Sequence, residues 1–148
     1  MDKIKIYNIL KYLSYILVFI GVYYGILEIE KNKNIEKGVN NFVKIGIIPL
    51  LFFAFIWHTF LNGTIIKNSN SFFEIECGGA NLGICLALIL GYLLNINTKS
   101  ICCILTVFLI YMIIALYCHV KYFKKIYSKL KSIPLIIILI YFIIKGII

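Results

Sequence analysis

Four polar side chains stand in or beside apolar stretches of this 148-residue chain: His58, Glu76, Asn81 and His119. An imidazole near a carboxylate can share a proton, hold a ligand or, with a third donor, bind zinc. In a membrane each charged group is costly, about 2.5–3.5 kcal/mol at mid-depth on insertion scales. Two histidines and a glutamate are zinc-ligand types, but no H-x-x-x-H or H-x-x-E-H spacing gathers them locally. No metal, cofactor or catalytic residue is therefore expected. Three readings of the cluster stay open. The side chains meet water and headgroups at helix ends, or they hydrogen-bond between helices and fix a bundle, or they form a proton-linked or ligand-binding site.

A second pattern surrounds Glu76. Gly79, Gly83, Ala87 and Gly91 recur every fourth residue, a ridge of small side chains that lets another helix approach closely. At about 100° per residue, Glu76 lies about 60° from Gly79 and about 20° from Gly83. It is expected to share that face, shielded from lipid and hydrogen-bonded to His58 or His119. Asn81 lies about 140° from Glu76 and is expected to meet a different helix. Gly21 and Gly25 repeat the spacing and would supply the ridge with a partner. The five cysteines (Cys77, Cys85, Cys102, Cys103 and Cys118) form no C-x-x-C pair. They read as small apolar side chains, not as a disulfide framework or a thiol redox centre.

The composition decides what positions these residues. The chain is 62% hydrophobic and 14% charged, with a mean hydropathy of +0.99. Water-soluble domains carry about 25% charged residues, and disorder needs low hydrophobicity. What remains is an all-α, polytopic membrane helix bundle with four to five transmembrane helices. Apolar runs fall at about residues 9–27, 42–61, 75–94, 101–120 and 133–148, against the roughly 20 residues that a span needs. The first lacks a small-x-small cleavage site and reads as an uncleaved span, not a signal peptide. The last is short and carries Lys145; Ser132 and Pro134 mark its start, and it either spans or lies at the interface. The linkers leave no room for a soluble domain, so residues 1–148 are expected to form a single transmembrane domain. Helix three is expected at the centre of a bundle with helices two and four.

All 15 basic residues are lysine, against six acids. They fall between apolar runs, where the positive-inside rule places them, so nucleic-acid binding is not expected. With the N-terminus inside, nine lysines lie inside and six outside, the 121–131 segment contributing most. This predicts a cytoplasmic N-terminus and an outside C-terminus if the fifth run spans. His58, Glu76 and His119 then lie near one membrane face, whichever way the protein is inserted. Tyr7, Tyr12, Tyr23, Tyr24, Tyr122 and Tyr127, with Trp57, fall near run ends as an interfacial aromatic belt. The expected partners are the lipid bilayer and other membrane subunits or a second copy.

The segment Phe73–Leu82, FEIECGGANL, resembles the F-x-F-E-V-G-x-A-N-L segment of a family of small multi-pass membrane proteins, the domain-of-unknown-function family numbered 6790. Trp57-His58-Thr59-Phe60 is similar to the family's G-H-x-F-F helix end, and Cys118-His119-Val120 to its G-H-V. The resemblance covers residues 43–125. It implies His58, Glu76, Gly78, Ala80, Asn81 and His119 as signature positions and no reaction. The chain departs from the pattern at Asn70-Ser71-Phe72, which lacks the family's proline, and at 121–131, where lysines replace a Pro-Gly-Asn stretch. More distantly, the segment is similar to DoxX-type four-helix membrane proteins.

Three functions compete. A non-enzymatic accessory or structural membrane component needs only helix packing and polar interhelical contacts. A small proton-linked transporter or channel would use the Glu/His cluster, but would want an inverted repeat or broken helices. A membrane redox or lipid-modifying enzyme would want a haem-ligating pair or a metal motif. The first is expected.

Overall fold

The computed structural model describes residues 2–61, 71–123 and 132–148, the side chains at 71–73, 119, 122 and 123 excepted. Every regular element among the described residues is helical. Helix α1, Lys3–Ile26, continues through a π-helical stretch, Leu27–Lys31. Helix α2, Ile35–Asn41, a second π stretch, Phe42–Ile47, and α3, Ile48–Phe60, follow one another without a break. Then come α4, Ser71–Leu93, α5, Thr98–Phe123, and α6, Ile133–Ile147. The all-α architecture is as the apolar runs predict. Four helical stretches are long and apolar enough to cross a membrane: Lys3–Lys31, Ile35–Phe60, Glu74–Leu93 and Thr98–Cys118. The fifth apolar run is the 15-residue α6, about 22 Å long at 1.5 Å per residue, short of a ~30 Å hydrocarbon core. Pro134 stands in its first turn, and Ser132 holds the N-cap position without a side-chain capping bond. The Asn62-Gly63-Thr64 glycosylation-type triplet and residues 124–131 of the lysine-rich segment lie outside the described residues.

The first helix begins earlier than its apolar run because Asp2 caps it, its Oδ1 accepting from the Ile4 amide at 3.2 Å. Lys3 and Lys5 then occupy an exposed first turn. The two tight connections use one device. A residue in the left-handed region, Lys33 (φ 55°) or Asn95 (φ 53°), reverses the chain. An asparagine then caps the next helix: Asn34 accepts from the Lys37 amide at 2.9 Å, and Asn97 from the Ser100 amide at 2.9 Å.

By their contacts the residues fall into two compact units, Met1–Leu94 and Asn95–Ile148. In the first, the rod running from α2 to α3 is the central element: α1 packs on one part of it and α4 on another. Helix three of the sequence reading, α4, is therefore not the centre of this unit. On the rod, the buried residues Val39, Val43, Ile47, Leu51 and Ala54 recur at three- and four-residue steps, the spacing of one helix face, and Phe42 is buried beside them. Gly21 and Gly25 do supply a close approach, but to this second helix. A Cβ on Gly21 would lie 2.8 Å from the Gly46 nitrogen, and one on Gly38 2.7 Å from the Gly25 carbonyl oxygen. In the second unit α5 and α6 pack together. Ile101, Cys102, Leu105 and Phe108 are buried on one helix, and Leu139, Phe142 and Ile143 on the other. The Cys102 thiol points at the Phe142 carbonyl oxygen, 4.0 Å away.

Candidate functional site

The face that α4 turns toward α3 is set by its own spacing. Glu74, Gly78, Asn81, Cys85, Leu88 and Gly91 are all buried, at steps of four, three, four, three and three residues, which stay on one side of a helix. Two contacts fasten it. The Cys85 thiol reaches the Ile48 carbonyl oxygen at 3.6 Å. At the other end Glu74 Oε2 lies 2.5 Å from His58 Nδ1. The Glu74 side chain is 4% exposed and that of His58 26%. One proton lies between them, either as Nδ1–H donating to the carboxylate or as the carboxylic acid donating to Nδ1.

Helix spacing predicts this partnership for Glu76, and the structure differs. Glu76 is exposed; Glu74 takes its place. Two residues turn a helix by about 200°, so the two acids point to nearly opposite sides. Because α4 begins at Ser71, Glu74 falls in its first turn, where the positive end of the helix favours a carboxylate. The small-residue ridge is corrected with it. Gly79 and Gly83 are exposed, and a Cβ on either meets nothing within 4 Å; Ala87 is half-buried and Gly91 alone of the four is buried. The close approach is made by Gly78. A Cβ there would run into Thr59 Oγ1 and stand 3.4 Å from the His58 Cβ. Asn81 is buried on the Glu74 face, not on a separate one, and its amide donates to the Cys77 carbonyl oxygen at 2.8 Å within α4. His119 lies on α5, in the second unit, and its side chain is outside the described residues.

Aromatic and polar groups complete the site. Tyr7 of α1 meets Trp57 edge to face at 6.1 Å, Trp57 lies 6.0 Å from the His58 ring, and Lys11 Nζ stands 5.5 Å from the centre of the Tyr7 ring. Thr59 Oγ1 is buried without a hydrogen-bond partner among the described residues. Three helices thus bring a phenol, an indole, an imidazole and a carboxylate to one end of the first unit. With Nδ1 engaged, the imidazole has Nε2 left for a second partner, so the pair can anchor two helices, exchange a proton or orient the ring as a base.

Glu28 was also missed, because it reads as linker. It is buried at the end of the first helix, 2.8 Å from Lys37 Nζ and 3.0 Å from the Asn32 amide nitrogen. The nine-residue separation of two opposite charges across a turn was the available signal. All five cysteines are free thiols. No group of three metal-ligating side chains occurs among the described residues. The chain matches no family model, no curated protein and no solved structure.

Proposed function

We propose that the chain is an integral multi-pass membrane protein that works as a non-enzymatic, structural component of a membrane assembly. The observation that carries this reading is the His58–Glu74 bond closing over Gly78. A buried carboxylate, its imidazole and the adjacent glycine all serve the α3–α4 contact, as a fastener between helices requires. The lysine distribution supports a cytoplasmic N-terminus, with Lys3, Lys5 and Lys11 inside.

A second reading has one observation in its favour. His58 is partly exposed while Glu74 is buried, so the imidazole offers the pair a route for proton exchange. Proteoliposomes carrying a pH-sensitive dye separate the two. The structural reading expects wild-type protein to leave proton permeability at the level of protein-free vesicles, with and without an imposed potential. A flux above that level that disappears in Glu74→Gln overturns it in favour of a proton-linked role.

A further inference from the structure

At the opposite end of the second helix from His58, the chain passes from polar to apolar. An open groove there is lined by Asn34, Glu36, Lys37, Asn40, Asn41 and Lys44. Lys37 is ion-paired with Glu28. No ion pair among the described residues takes up Glu36 or Lys44. The Lys44 ammonium stands over the Tyr92 ring, 4.4 Å from its centre, which holds it at a defined place. The groove therefore offers one carboxylate and one ammonium for a ligand, with three neutral amides around them.

We propose that this groove binds the headgroup of a zwitterionic phospholipid, its phosphate at Lys44 and its ammonium at Glu36. The inference rests on the chain being membrane-inserted. Charge complementarity selects the ligand, since a purely anionic headgroup would leave Glu36 opposed and a cationic one would leave Lys44 opposed. Order along the helix selects it again. In a phospholipid the phosphate joins the acyl-bearing glycerol and the ammonium lies farther out. In the groove Lys44 lies within the apolar run and Glu36 lies next to the turn at residues 32–34. Asn40 stands one turn from each, a donor and acceptor midway. Lysine and tyrosine are the side chains that anchor helices at headgroup depth. A soluble phosphorylated amine presents the same two charges, and the test distinguishes it.

The full-length protein, purified in detergent, is offered equal amounts of phosphatidylethanolamine, phosphatidylglycerol and diacylglycerol, and the lipid retained is read by native mass spectrometry. Wild-type protein is expected to retain phosphatidylethanolamine first and diacylglycerol least. Lys44→Gln is expected to lower phosphatidylethanolamine retention about tenfold, the loss of one charge-assisted contact of about 1.4 kcal/mol. Glu36→Gln is expected to move the preference to phosphatidylglycerol. Both positions are exposed, so both variants are expected to melt with the wild type. If both keep the wild-type lipid pattern, the proposal is wrong. If free phosphoethanolamine binds in a Lys44-dependent way while no lipid is retained, the lipid source is wrong. Failure of the protein to float with vesicles would remove the membrane reading itself, and proton flux would remove only the structural role.

Discussion

A carboxylate as buried as Glu74 is tolerated in an apolar setting only with its partner in place. Removing either member of the His58 pair leaves the other desolvated without its bond. Glu74→Gln and His58→Ala are each expected to lower stability by about 1–2 kcal/mol, near the upper end for polar contacts between membrane helices. Thermal melts in detergent measure it. Glu76→Gln, on the exposed side of the same helix, is expected to stay within about 0.5 kcal/mol of wild type. A larger loss at Glu76 than at Glu74 would mean that α4 is rotated relative to its neighbour. Because Thr59 Oγ1 faces Gly78, these residues act as one packed group, and a double variant of Glu74 and His58 is expected to cost less than the sum of the singles.

Two glycines of α4 have opposite environments. Gly78 lies against α3, and a methyl group there collides with Thr59; Gly83 faces open space. Gly78→Ala is expected to destabilise by about 1–3 kcal/mol through forced separation of the helices. Gly83→Ala is expected to be neutral or to stabilise by up to about 1 kcal/mol, since it only removes backbone freedom from a helix interior. Melting both variants in one detergent gives the sign of each. The first hairpin depends on the same kind of contact at Gly21 and Gly38, where the facing backbone atoms cannot move aside as a side chain would. The π stretch at Leu27–Lys31 follows this contact on the first helix, and the one at Phe42–Ile47 contains the backbone that Gly21 meets. A wider turn rotates the residues that follow it relative to an α-helix, and here it accompanies Glu28, Val43 and Gly46 facing inward.

The proposed insertion, with a cytoplasmic N-terminus, has a direct consequence for accessibility. In a variant with all five cysteines replaced, Lys33→Cys at the first turn is expected to react quickly with a membrane-impermeant thiol reagent added to intact cells. Lys5→Cys is expected to react only after the cells are opened. The reverse pattern would invert the topology. Because α1 and the α2–α3 rod are joined by a short turn, these two sites must lie on opposite sides of any membrane that α1 crosses.

The helical class and the four long apolar helices were readable from residue order, because apolar runs of about 20 residues with few charges have hardly any other stable form; the length of the fifth run left its role open. His58 and Asn81 were readable too, as polar residues in apolar surroundings. Rotation about the helix axis was not. Glu74 and Glu76, or Gly78 and Gly79, sit in one turn, and composition favours neither member of each pair. The choice between them belongs to packing: α4 turns toward α3 the face on which Gly78 admits Thr59 and Glu74 reaches His58. The buried step from Glu74 through Gly78, Asn81, Cys85 and Leu88 was present in the sequence. The four-residue repeat that begins at Gly79 and Gly83, on the exposed side, competes with it in the sequence. The division into two units and the π stretches carry no local signal at all. They arise from contacts between residues far apart in the chain, such as Gly21 with Gly46, whose energies depend on how backbones meet and not on any residue's own preference.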